Sequence, residues 1–345
     1  MTLASAIATG DLAQLPSRRD EDWRWTDLRG LIRALPPASP QGRAWLWENP
    51  LSGQLDMTVG TVNGRGHTDL DVAAGDERFV GWRFMSATPG TSNQAELWVD
   101  VAAGAKLTLI ESYEGRGAGY LTDVAVNIKI ADGGSMERII FAEDDAEGIS
   151  VSTADVTLAP GASFAQTILT SGARRQRIET RVTHPGQGAS VRLDGVYLLR
   201  DQRHADLTTV VTHGGLEGTT TQLTKGVVRD QARGVFQGRI VVERGADQTD
   251  ARMGHHALIL SDRAEVDAKP ELLIFADDVQ CAHGNTIGAL DESAIFYARQ
   301  RGMPQAVARA MLTEAFVGEV VDRIEHEGAR DVARAWVSAQ LGTAT

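Results

Sequence analysis

The sequence predicts a mainly β protein: a right-handed parallel β-helix, or solenoid, flanked by N-terminal and C-terminal α-helical regions. Three observations carry this expectation. From about residue 90, short runs alternate apolar and polar residues, as in 107–110, 124–128 and 191–193, each bounded by glycine or charged turn residues. Turn glycines recur at Gly104, Gly133, Gly161, Gly188 and Gly215, at intervals of 29, 28, 27 and 27 residues. Both ends of the chain instead space their apolar residues by threes and fours. A near-constant period with strands inside each unit marks stacked units, each covering its neighbour's apolar edge. A β-sandwich with regular hairpin spacing is the alternative. Within this stretch only Asp132-Gly133 has the dipeptide of a tight hairpin, which favours the solenoid.

Taken in order, residues 3–15 are rich in Ala and Leu and read as helix until Pro16 interrupts them. Residues 21–35 carry Trp23, Leu28, Leu31 and Ile32 near helical spacing, and Pro36, Pro37 and Pro40 end the pattern. After residue 290, Asp291 can cap a helix running through Arg299, Gly302 can end it and Pro304 can open the next. Between Pro304 and Glu327 the residues Val307, Met311, Val317, Val320, Val321 and Ile324 form an apolar stripe. Such a stripe either packs on the β body or docks a partner. The resulting division is an N-terminal helical and irregular region over 1–90, a β-helix core over 91–290 and a C-terminal helical region over 291–345.

Composition narrows the function. The 345 residues exceed a typical single domain of roughly 100–150, as an elongated repetitive body with appendages would. Lys plus Arg number 34 against 46 Asp plus Glu, so a net charge of −12 argues against DNA or RNA as a partner. No window approaches the roughly 18 apolar residues of a membrane span, so a soluble cytoplasmic protein is expected. The four lysines, Lys106, Lys129, Lys225 and Lys269, lie outside any glycine-rich phosphate loop, which excludes a P-loop ATPase. Serine-hydrolase and zincin motifs are missing as well. Paired acids at Asp144-Asp145 and Asp277-Asp278 keep open a stand-alone β-helix enzyme acting on carbohydrate, although adjacent acids are more often solvated turn residues.

Metal or thiol chemistry has one place to sit. Cys281 is the single cysteine. In an extended strand it shares a face with His283, which brings a soft thiolate beside an imidazole. The pair suits iron or zinc, or a nucleophile beside its base; alone, Cys-x-His is more commonly a small buried residue next to a structural histidine. Two ligands do not close a four-coordinate site, and no second cysteine completes a cluster cradle. The remaining ligands therefore come from another subunit, or there is no metal. His67, His184, His204, His213 and His326 are scattered, and adjacent His255 and His256 would face opposite sides of a strand.

Three segments together carry a family resemblance. The run from Pro16 through Glu21-Asp22-Trp23-Arg24-Trp25-Thr26-Asp27-Leu28 is the first. Lys225-Gly226-Val227-Val228, the stretch 234–240 and the stretch 246–251 form the second. The third runs from Leu258 to Ile324 and includes Ala276-Asp277-Asp278-Val279-Gln280-Cys281-Ala282-His283-Gly284. In these the chain resembles the SufD family of iron–sulfur cluster assembly proteins, over nearly its whole length and more loosely over 45–120. The resemblance implies a non-catalytic scaffold subunit with a β-helix core between helical ends. It implies pairing with a SufB-like subunit through the β-helices, C-terminal helices that dock a SufC-like ATPase, and an Fe–S cluster held transiently and shared with the SufB-like partner, with none required in the isolated chain. His283 and Cys281 become metal-ligand candidates at that interface, and Met311, Val317, Val320, Val321 and Ile324 become partner-binding candidates. In isolation the chain can also form a homodimer across two Cys281/His283 pairs. Two departures from the family pattern stand out: Asn285 where a small residue is usual, and Met253-Gly254-His255-His256 where polar amides are more common.

Overall fold

The computed structural model describes residues 2–40, 42, 51, 54–184 and 186–342, with the backbone alone at Arg65; Trp45, where the looser resemblance begins, lies outside them. Seventeen strands are present among the described residues, β1 (Met57–Val62) through β17 (Val279–Gly288). Successive strands alternate between two sheets: the odd strands form one of nine strands, β1-β3-β5 and so on to β17, and the even strands one of eight. Every ladder between these strands is parallel, which excludes the hairpin-built sandwich and gives a flattened solenoid with two strands per turn. Asp132-Gly133 accordingly joins strands of opposite sheets. The strands begin at Met57 and not near 90. In β2 (Arg65–Val72) the outward His67, Asp69 and Asp71 leave only Leu70 and Val72 as buried apolar residues, too few to show the alternation.

The register explains the glycine period. Lys106, Ser135, Ser163, Ser190, Thr219 and Asp250 stack directly over one another, in steps of 29, 28, 27, 29 and 31 residues. At the corner preceding these residues Gly104, Gly133, Gly161 and Gly188 all adopt left-handed φ, between 63° and 68°. Each donates its N–H to the next turn, as Gly161 does to Gln187 O and Gly188 to Leu216 O, so the corners form a hydrogen-bonded column. Gly215 is not part of it. Glu217 takes the left-handed position at φ 59° and Gln248 follows at φ 61°.

Inward positions of both sheets meet in one apolar lumen running from Leu70 and Val80 to Ala257 and Met253. One ion pair sits inside the lumen. Glu111 and Arg138 are fully buried there; Arg138 Nε and Nη2 each donate to Glu111 at 2.7 Å, while Nη1 donates to Gln166 at 2.8 Å.

Each outer face is covered by one end of the chain. Over the even sheet lies the N-terminal segment, where Leu3, Ala6, Leu15, Leu28 and Ile32 pack on Leu121, Ile149 and Val151. It is far less helical than its spacing predicts: α1 (Leu3–Thr9) is capped by Thr2 and stopped by Gly10 at φ 71°, and only 3₁₀ turns at Leu12–Gln14 and Glu21–Trp23 follow. The sheet takes the carbonyls a helix would need. Asp22 O accepts from Arg177 and Gln237, and Trp25 O pairs with His204 Nε2. Thr26 donates to Asp206 at 2.5 Å, and the Arg177 guanidinium lies 4.4 Å over the Trp23 ring.

Of the C-terminal helices α2 (Glu292–Gln300), α3 (Gln305–Val321) and α4 (Glu327–Leu341), α3 and α4 cover the odd sheet and α2 packs against α3. Asp291 caps α2, and Gly302 and Pro304 separate α2 from α3 as expected. The long helix to Glu327 is instead broken at Asp322, because the link is tied to the sheet. Glu325 and His326 N–H groups donate to the Glu137 carboxylate, and Arg323 pairs with buried Asp194 at 3.2 Å. No helix among the described residues is long and apolar enough to cross a membrane.

Candidate functional site at the open end of the solenoid

Cys281 and His283 lie in β17, the last strand of the odd sheet, which among the described residues pairs only with β15 (Thr249–Ile259). In β16 (Glu265–Ile274) the even sheet ends the same way, paired only with β14 (Arg233–Val242). The last turn therefore presents two unpaired parallel edges, each with free backbone donors and acceptors. Leu273, Ile274, Phe275 and Ile287 are large apolar side chains exposed there, Phe275 to 59%.

Two-residue periodicity places Cys281, His283 and Asn285 on the inward face of β17, above Ala251, Met253 and His255. Cys281 is half-buried and packs against the end of the lumen cluster. Burial pushes its thiol up from the ordinary value; a backbone hydrogen bond from Ala251 opposes this and the Asp250 carboxylate adds to it. Without a cation beside it, Cys281 is a protonated thiol at neutral pH. His283 is exposed. Among the described residues no three His, Cys, Asp or Glu side chains converge as metal ligands, so this strand presents two donors and closes no site by itself.

The two departures from the family pattern are in contact. His255, fully buried, pairs through Nδ1 with Asn285 Oδ1 at 2.7 Å and through Nε2 with Tyr197 O–H at 2.9 Å. Its ring stacks on Phe236 at 4.6 Å. Burial depresses the imidazole to about 4, which keeps it neutral. His256 faces the other way, as strand periodicity requires, and meets Thr286 Oγ1 at 2.7 Å. Sequence reasoning singled out these residues without joining them. The signal that could have done so is the two-residue step from His283 to Asn285.

Other expected site residues part company. Val317, Val320, Val321 and Ile324 are buried, packed with Ile139, Leu169, Val196 and Val227 on the outer face of the odd sheet. These four pack on the β body, and removing them from water against the sheet is what holds α3 in place. Met311 is 47% exposed, and Val307 on the same helix and Phe296 and Tyr297 on α2 are exposed as well. The Lys225–Glu319 ion pair further pins α3 to the sheet, and the Lys225 Nζ lies 4.6 Å from the Phe316 ring centroid. His184 and His213, scattered in sequence, meet inside a corner with ring centroids 4.0 Å apart. Both are buried and depressed by desolvation, to about 4 and about 3.

Residues 84–316 match the family described as SUF system FeS cluster assembly, SufBD core domain. The iron-sulfur cluster assembly protein SufD of Escherichia coli is 32% identical over 246 residues, which is 70% of this chain and 58% of that protein. A SufBD family protein of Synechocystis is 28% identical over 67% of this chain and 53% of its own length. One of Mycobacterium leprae is 26% identical over 91% of this chain and 87% of its own length. The chain thus spans somewhat more than half the length of the first two relatives. With the match over 84–316 carried on a two-sheeted parallel solenoid, the chain belongs to the SufBD family of the SUF iron–sulfur cluster assembly system, as a relative of SufD.

Proposed function

We propose that this chain is a SufD-like, non-catalytic subunit of a cytoplasmic scaffold on which iron–sulfur clusters are built. A SufB-like subunit pairs with the open end of the solenoid, and a SufC-like ATPase docks on the C-terminal helices. The cluster is the cargo. Cys281 and His283 supply ligands to it, and the partner supplies the rest. The supporting observation is the coincidence of an unpaired parallel edge with the Cys281/His283 face of β17: the strand that lacks a neighbour is the strand that lacks ligands. Exposed Met311, Val307, Phe296 and Tyr297 support the helical end as the ATPase dock, while buried Val317, Val320, Val321 and Ile324 hold that dock to the sheet.

Co-expression with a SufB-like and a SufC-like subunit tests this reading. All three chains should co-purify. His283→Ala should leave the complex intact and reduce reconstituted cluster by about tenfold or more, whereas an undiminished yield removes His283 from the site. Met311→Asp should weaken ATPase retention in a folded protein. Val320→Asp should unfold the helical end, because a carboxylate would enter an apolar contact. A chain that purifies only as a homodimer through the same edge and binds neither partner defeats the reading.

A further inference from the structure

We propose that Asn285 is a third polar group of the Cys281/His283 site, held by a buried Tyr197–His255 relay so that its carboxamide N–H bonds are offered to sulfur of the ligand assembled there. This rests on the reading of β17 as a cluster-building edge.

The geometry assigns each proton. Tyr197 O–H donates to His255 Nε2 at 2.9 Å, which leaves Nδ1–H to donate to Asn285 Oδ1 at 2.7 Å. Both imidazole nitrogens are used, so one tautomer is fixed. The ring cannot swing: it lies parallel to Phe236, at an interplanar angle of 3°, and to Tyr197 at 23°. An exposed asparagine ordinarily samples several rotamers, and ordering its side chain costs rotamer entropy. Here the oxygen is anchored from inside the lumen, so that cost is met before any ligand arrives. The amide is planar, and Oδ1 is taken. Its Nδ2 has no hydrogen-bond partner among the described residues and lies on the face that carries His283, about 7 Å along the strand by the two-residue repeat. What remains is a donor-only group beside two metal-ligand candidates. Donors in that position recognise electron-rich sulfur, thiolate or sulfide, and N–H···S bonds raise a cluster's reduction potential by stabilising the reduced, more negative state.

Two readouts test the assignment. In the isolated, metal-free chain, ¹⁵N spectra should show dispersed Asn285 side-chain amide signals that collapse towards free-asparagine values in His255→Ala, with the backbone pattern retained. In the complex with a SufB-like partner, reconstituted with ferrous iron and inorganic sulfide, Asn285→Ala should keep the complex and bind cluster at a more negative potential. His255→Ala should reproduce that shift, and the double variant should add nothing further. Unchanged potential in Asn285→Ala, additive shifts in the double variant, or loss of the complex on Asn285→Ala would each overturn the proposal. If His283→Ala assembles cluster normally, the parent reading of the edge fails. If His283→Ala blocks assembly while Asn285→Ala matches the wild type in potential and His255→Ala leaves the amide signals in place, only the role of Asn285 fails.

Discussion

Arg138 and Glu111 show what a charge must do to survive inside the solenoid. With both side chains at 0% exposure, each carries the desolvation cost of the other's removal. Arg138→Met should therefore cost about 3–5 kcal/mol in urea unfolding, and adding Glu111→Leu should recover most of it. Histidine sets the acid limit. His184, His204, His213 and His255 are depressed to about 4, 4, 3 and 4 by burial, so the unfolded chain binds protons there that the native state refuses. Stability should fall as pH drops from about 6.5 towards 4. Asp123 acts in the opposite direction. It lies in register between Gln94, which donates to Ala4 O, and Val151, under the N-terminal segment, and burial with the Glu96 charge raises it to about 7. Its native form keeps a proton that the unfolded chain releases above about 4, so its penalty grows between pH 4 and 7 and is complete above 7. Asp123→Asn should raise the melting temperature at pH 8 by the equivalent of about 1 kcal/mol, and the gain should vanish by pH 4. Parallel melts of the two proteins across that range check the sign.

At the level of elements, the corner column is both what made the fold legible and where the reading slipped. Gly104, Gly133, Gly161 and Gly188 recur because their φ lies where a Cβ is disfavoured, and that backbone requirement is written directly into residue identity. Glu217 occupies the same position without glycine, and the eye moves to nearby Gly215. Gly188→Ala should destabilise by about 1 kcal/mol, whereas Glu217→Gly should be neutral or stabilise by up to about 1 kcal/mol despite losing the Gln187 contact; chemical denaturation separates the two. Helical ends were harder to read. Spacing of Trp23, Leu28 and Ile32 fits a helix, yet Arg177, Gln237 and His204, more than 150 residues away in sequence, claim the carbonyls. The stripe on α3 was legible as a stripe. Which half of it is covered was not, since that depends on where the sheet's outward Ile139, Leu169 and Val227 end. Cys281 and His283 were legible through period two, but the Tyr197–His255–Asn285 chain needs contacts across 30 and 58 residues that only stacking of turns supplies.

For the molecule as a whole, the two ends of the chain cover opposite sheets, and among the described residues the last turn has no neighbouring turn beyond it. Each turn of such a body is stabilised mainly by its neighbours, so a turn with one neighbour opens most easily. Amide hydrogen exchange should be fastest in β16 and β17 among the strands that follow β2, and a SufB-like partner should slow β17 most; uniform exchange from β12 (His204–His213) onward would contradict this. The bare edge also fixes an address. Because side chains alternate along a strand, any chain that continues the odd sheet beyond β17 has only half of its residues on the side of Cys281, His283 and Asn285. A slip of one residue would exchange that half for the other, turning every incoming ligand to the outer face. Backbone pairing, which is blind to sequence, would then decide whether the chemistry of two proteins coincides. If the proposed pairing holds, assembly of the polypeptides and assembly of the proposed metal site are one measurement, read out on a scale of about 3.3 Å per residue.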